Sequence, residues 1–222
     1  MSISTNIKDI EAQLPCGVRL VAVSKFHPVE ALKQAYDAGQ RVFGESRAQE
    51  LSGKVGEMPA DVEWHFIGHL QTNKARQVVQ CANVIESVDS LKLLRLIDSE
   101  AARAGREIDV LLQLHVAQEE AKSGFAPQEL LDVANGGELD GLTNTRIRGL
   151  MAMATFTDDE EQIAREFAQV KETFDALKQS AMAGNEMFNE ISMGMSDDWH
   201  IAVKHGSTLV RIGTAIFGPR EY

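Results

Sequence analysis

Lys25 closes the run LVAVSK at positions 20–25, in which every earlier residue is uncharged. An amine delivered at the tip of a buried segment is a candidate nucleophile. An exposed lysine with a pKa near ~10.4 is almost wholly protonated at pH 7, whereas a fall of ~3 units through desolvation or cationic neighbours would leave roughly a quarter of it neutral. The neutral amine attacks aldehydes to give a Schiff base. The plainer alternative is a strand-end lysine that snorkels to water.

Near the other end of the chain, SMGMSDDW (192–199) and STLVRIGTAIFG (207–218) gather Ser192, Gly194, Ser196, Gly213 and Thr214. Small residues let backbone N–H groups approach an oxyanion, and hydroxyls add donors. Ser196 with Asp197 and Asp198 equally suits a helix cap, and Gly213 a turn. Arg211, inside the apolar run LVRIG, needs an acceptor. A pyridine nitrogen is one candidate and an internal carboxylate is the structural alternative.

The elements that must position these groups alternate along the chain. Strands are expected at 19–24, 41–45, 62–68, 83–88, 109–116, 146–154, 188–193 and 209–213, where apolar runs are bounded by turn residues. Helices are expected between them, at about 28–39, 46–55, 73–82, 91–105, 127–134, 158–183 and from 197. Ile163, Phe167, Val170, Phe174 and Leu177 make the clearest helical stripe. A leading helix carries Ile3, Ile7, Ile10 and Leu14 and stops at Pro15 and Gly17.

Eight apolar strands separated by helices, without hairpin signals, imply a parallel sheet, and the count favours one closed (β/α)8 TIM-like barrel over residues 1–222. An open doubly wound sheet is the competing architecture, but no GxGxxG follows the first strand. TAIFGPREY after the eighth strand is too short for a full outer helix, so the leading helix is expected to pack near the seam between strands one and eight. Barrel closure makes those strands neighbours and brings Lys25 to the Gly213–Thr214 turn. An amine beside an oxyanion cradle suits pyridoxal 5′-phosphate (PLP), which needs one for its aldehyde and the other for its phosphate.

The chain has 222 residues, 44% hydrophobic and 25% charged, with 33 acidic and 22 basic side chains and a formal charge of −11. That balance opposes nucleic acid and anionic membrane as partners, while leaving a small phosphorylated ligand open. With no long apolar segment and a polar N-terminus, the expected location is the cytoplasm. Cys16 and Cys81 lack metal-type spacing and are expected to be packed or free thiols.

The blocks LVAVSKFHP, FGESRAQEL, WHFIGHLQTNK, ESVDS, ISMGMSDDW and GSTLVRIGTAIFGPREY, in this order from Leu20 to Tyr222, resemble the PLP homeostasis protein family. The resemblance implies a barrel of the alanine racemase N-terminal domain type that binds PLP covalently through Lys25. It implies Ser196, Gly213 and Thr214 at the phosphate and Arg211 near the pyridine nitrogen. It also implies a carrier or regulator of PLP without a catalytic reaction of its own; PLP-dependent apoenzymes are the expected partners and a monomer the expected state. Ser46 and His115 stand where relatives often have asparagine, and Phe26 where threonine is common, which leaves any contact at Ser46 open.

Three rival readings use the same residues. A PLP-dependent racemase needs a second acid/base, typically from an additional β domain, and the chain stops soon after strand eight. A Schiff-base aldolase without cofactor would use Lys25 on its substrate's carbonyl. A metal hydrolase is suggested by His65, His69, Glu86 and Asp89, but the histidines lie on a strand and its loop, without the HExxH glutamate. His65 reads better as a hydrogen-bonded pocket or core residue. Met151, Met153, Met193 and Met195 read as packing, and Lys122 in QEEAKSG as part of a solvated loop.

Overall fold

Eight parallel strands form a closed barrel in which each pairs with its sequence neighbour and the first pairs with the last. They are β1 (Arg19–Val23), β2 (Val42–Glu45), β3 (Glu63–Phe66), β4 (Val84–Val88), β5 (Ile108–Leu114), β6 (Thr145–Ala152), β7 (Glu190–Ser192) and β8 (Leu209–Ile212). This computed structural model describes residues 2–118 and 123–219. Lys122 lies outside them. The helices are α1 (Ile3–Glu11), α2 (Val29–Asp37), α3 (Ala48–Val55), α4 (Ala75–Cys81), α5 (Leu91–Ala104), α6 (Pro127–Asn135), α7 (Glu160–Gln179), α8 (Trp199–Lys204) and α9 (Thr214–Phe217).

The strands stop earlier than their apolar runs. Ser24, His115, Met153 and Met193 fall just past the strand ends, although the Ser24 N–H still donates to Gly44 O at 3.0 Å and the Met193 N–H to Leu209 O at 3.1 Å. Helix α7 ends at Gln179 instead of 183, because the Met182 N–H turns back to Leu177 O at 2.8 Å. Leu14 lies beyond α1, whose last residue is Glu11.

Two apolar clusters divide the core. The larger packs the outer strand faces against the helices, with Leu20, Ala22, Phe43, Phe66, Ile97, Leu112 and Phe167 buried in it. The smaller is a plug of Val21, Val84, Leu111, Met151 and Leu209 inside the barrel. Residues one apart on a strand thus serve different layers, as the period of two requires. Helix α1 packs against α2 and α9, and Asn6 Nδ2 donates to Ile216 O at 2.9 Å. The leading helix thus contacts the short turn that follows β8.

One strand breaks the alternation. Between β5 and β6 the register moves from Val110 opposite Ile147 to Leu111 opposite Gly149, which makes Arg148 an extra residue. Arg148 and Met151 consequently both reach interior groups: Arg148 pairs with Asp109 and Glu190, and Met151 joins the inner plug.

Candidate functional site

At the carboxyl end of the barrel a cavity of about 300 Å³ is lined by Lys25, Ser196, Arg211, Gly213 and Thr214 together. The β1/β8 register explains the meeting. Val21 lies opposite Arg211 and Ala22 opposite Ile212, so Val23 falls beside Gly213. A Cβ at Gly213 would sit 3.0 Å from Val23 O and 3.2 Å from Val23 Cβ. Glycine is what allows the ends of these strands to close up.

Behind Lys25 stands a buried polar cluster. Ser24 Oγ donates to Glu45 Oε1 at 2.6 Å. Lys54 Nζ donates to the same oxygen at 2.7 Å and to Ser24 O at 2.9 Å. Burial pushes the Glu45 carboxyl up from its ordinary value, and Lys54 and Ser24 pull it back. The chain then leaves the strand through Phe26 in a left-handed conformation, φ 68°. Its N–H donates to Glu50 Oε2 at 2.8 Å and its ring lies under the Arg47 guanidinium, 4.4 Å away. A side chain at positive φ costs on the order of 1 kcal/mol, which these contacts offset. His27 stacks on Phe217 of α9 with ring centroids 4.9 Å apart, joining the two halves of the pocket.

Opposite Lys25, the loop after β7 is tied down by its own backbone and by β8. Arg211 N–H donates to Gly194 O at 2.9 Å, and Met195 N–H to Asp198 Oδ1 at 2.5 Å. Burial raises the Asp198 carboxyl, against the hydrogen bond from Met195 and the Arg211 charge. Ser196 is held in a short, fixed arch at the cavity rim.

Arg211 is buried and meets an internal carboxylate while also lining the cavity. Its Nη1 donates to Ser192 Oγ at 2.6 Å and lies 3.6 Å from Glu86 Oε2, and its Nη2 donates to Ala152 O at 2.8 Å. Burial pulls the guanidinium down from its ordinary value, opposed by Glu86 and Asp198. Beyond Glu86 lies His65. Its Nδ1 is 2.6 Å from Glu86 Oε1 and its Nε2 is 2.9 Å from Glu63 Oε1. With a carboxylate against each ring nitrogen, His65 has no lone pair to offer a metal. His69 instead lines the cavity and pairs with Asp89 at 3.3 Å. Among the described residues no group of three or more potential ligands could hold a metal ion.

Burial alone would push His65 down, but the two carboxylates outweigh it and hold the ring at about 9. The hydrogen bond from His65 in turn takes Glu63 down to about 2. Because His65 is raised from an ordinary value of 6.5, its contribution to stability is complete below that pH and is lost as pH climbs through about 9. Glu63 is depressed from 4.5, so its contribution is complete above that pH and disappears as pH falls through about 2. Urea denaturation at a series of pH values should therefore show stability falling between pH 6.5 and 9. A level profile across that window would contradict the assignment of His65 as a buried cation.

The lining also contains residues the sequence reading did not assign to the site, namely Val23, His27, Ile67, Gly68 and His69, together with Met153 and Met195, which it read as packing. His27 reaches the cavity through a turn, its N–H donating to Ser24 O at 3.1 Å, which strand alternation does not foretell. Ser46 lines the cavity as well, whereas His115 is not among its lining residues. Cys16 and Cys81 are free thiols.

The family model described as alanine racemase, N-terminal domain, matches residues 1–221. The pyridoxal phosphate homeostasis protein of Pasteurella multocida is 39% identical over 209 residues, covering 93% of this chain and 88% of the relative. The chain belongs to the pyridoxal phosphate homeostasis protein family. PipY of Synechococcus elongatus, solved without PLP, superposes with a TM-score of 0.92 at 39% identity over 98% of this chain and all of PipY. The structure of PipY with PLP bound gives a TM-score of 0.87 at 38% identity over the same shares. The barrel and the family expected from the quoted blocks are thus the ones found.

Proposed function

We propose that the chain is a cytoplasmic, monomeric, single-domain barrel that holds PLP as a Schiff base on Lys25 and serves intracellular PLP homeostasis by carrying the cofactor to PLP-dependent apoenzymes, without a turnover of its own. The observation that carries this reading is the shared cavity of Lys25, Arg211, Gly213 and Thr214. The residues suit the group. Ile67, Met153 and Met195 give apolar walls for a ring, and Gly213 brings its turn close against Val23, where a Cβ would crowd. Ser196, Gly213 and Thr214 would hold the phosphate, and Arg211 would face the ring nitrogen. Lys25 would hold the group through its Nζ.

PLP supplies an aldehyde conjugated to an electron-withdrawing pyridine. A permanent cation at the ring nitrogen opposes protonation there and weakens the ring as an electron sink. This chain's own groups do the remaining work. Glu50 and Glu45 fix the backbone on either side of Lys25 through Phe26 N–H and the Ser24 hydroxyl. Such a pocket holds a reactive aldehyde and restrains its chemistry.

Borohydride reduction after saturation with PLP, followed by peptide mass spectrometry, tests the reading. The pyridoxyl adduct is expected on the peptide containing Lys25 and is expected to vanish in Lys25→Ala. An adduct mainly on another lysine would refute the site, and sustained racemisation of alanine by the loaded protein would refute the carrier role.

A further inference from the structure

The contacts of Arg211 continue inward from the pocket floor. Ser192, fully buried, lies between Arg211 and Glu86. A guanidinium only donates, so the serine oxygen accepts from Arg211 and its single proton goes to Glu86 Oε2, at 2.5 Å. The other Glu86 oxygen and a Glu63 oxygen accept the two N–H groups of His65. An ionised carboxylate can only accept, so with both of these ionised the ring between them carries both protons. Burial would raise Glu86, but the bond from His65, the Arg211 charge and the Ser192 hydroxyl hold it below the ordinary carboxylate range. The order from the pocket inward is cation, anion, cation, anion.

The alternation does not stop at Glu63. Arg19 bridges Glu63 at 3.2 Å and Glu190 at 3.1 Å. Arg148 then bridges Glu190 and Asp109, each at 2.7 Å, and Arg146 meets Asp109 and Glu107. Members come from the amino end of β1, from β3 through β7 and from β8, so the ladder runs from the cavity floor to the opposite mouth. His65 is faced by Glu63 on its own strand and Glu86 from β4, and in turn acts on Glu190 from β7; Arg19 from β1 reaches the group through Glu63, and Arg211 from β8 through Glu86.

We propose that Glu86, fixed by His65 and linked through Ser192, is the positioning residue that orients Arg211 and balances its charge, so that the ladder sets what a bound pyridine ring meets at its nitrogen. This inference rests on the reading of the cavity as a PLP site. A neutral group at position 86 removes the anion 3.6 Å from Arg211. The proton lost with it comes from His65, one step further from the cavity, so the floor beside Arg211 becomes locally more positive, which disfavours the protonated form of an imine on Lys25. The removal of one charged hydrogen-bond partner from Arg211 would also loosen the guanidinium that the ring nitrogen meets.

Two readouts test it. In ligand-free protein, nitrogen NMR of the histidine rings should show both nitrogens of His65 protonated at pH 7, and one of them deprotonated in Glu86→Gln. In PLP-loaded protein, Glu86→Gln should weaken PLP binding roughly tenfold. It should also lower the pH midpoint of the visible imine band by about one unit, with borohydride still trapping Lys25. Glu86→Asp, which keeps the charge, should restore part of that midpoint. Ser192→Ala leaves every charge in place and should weaken binding by a similar factor, so it decides the matter if Glu86→Gln does not fold. A neutral His65 ring in the wild-type protein, or wild-type affinity and midpoint in the variants that fold, would overturn the inference while leaving the PLP site standing. Absence of PLP uptake by the wild-type protein would overturn the function proposed above and the ligand half of this inference with it.

Discussion

Gly149→Ala is expected to prevent the accumulation of folded protein, with a loss of about 4 kcal/mol or more. A Cβ at this position would lie 1.7 Å from Glu190 O and 2.6 Å from Glu190 C, both backbone atoms of the adjoining strand. No rotamer relieves a clash between two main chains. Strands β6 and β7 would have to part, although Gly149 pairs with Glu190 in the register that closes the barrel. The control is Gly53→Ala in α3, where nothing lies within 4 Å of an added Cβ. That change should stabilise by roughly 0.5–1 kcal/mol, because alanine suits a helix interior better than glycine. Urea midpoints for the two variants, or soluble yield where Gly149→Ala does not fold, provide the measurement. A Gly149→Ala protein with near wild-type stability would show that β6 and β7 are not packed as described.

Lys54→Met is expected to cost about 3–5 kcal/mol and to loosen the base of Lys25. Lys54 is buried and its ammonium meets Glu45, whose carboxylate has no exposure, together with Ser24 O and Glu50. Methionine keeps the volume and removes the charge. Glu45 would be left with the Ser24 hydroxyl alone, and its Oε2 already lacks a hydrogen-bond partner. The destabilisation is therefore that of an uncompensated buried anion. Adding Glu45→Leu should return more than half of the loss, since an apolar pair of similar shape is often as stable as a buried ion pair. If the double variant is as unstable as Lys54→Met, the packing of the lysine stem and not the charge is responsible.

The barrel was legible because its strands announce themselves as apolar runs of separate, helix-spaced segments, and because a parallel barrel has only one way to join its ends. The approach of Lys25 to Gly213 and Thr214 followed from that closure alone. Local sequence could not show Lys54 as buried: it sits near the end of an ordinary amphipathic helix, and its partner Glu45 belongs to another element. The same holds for Glu86. Its partners lie at positions 65, 192 and 211, and no spacing rule links residues brought together by three different strands. For His65 the sequence pointed to a hydrogen-bonded pocket or core residue in preference to half of a metal pair with His69, and its carboxylate partners agree. The two diverge at the end of β3, one turning inward to carboxylates and the other to the cavity rim. The break at Gly149 was hidden because strict alternation would have put Arg148 on the face of Leu150, and only the register with β5 shows the extra residue.

A barrel whose axis is occupied largely by paired ions, with five apolar side chains as its inner plug, carries a thermal signature. Melting it wets charged groups as well as hydrocarbon, and the two contributions to heat capacity have opposite signs. Compared with a barrel of equal length stacked with aliphatic layers, this one should have a shallower curvature of free energy with temperature and keep more of its margin in the cold.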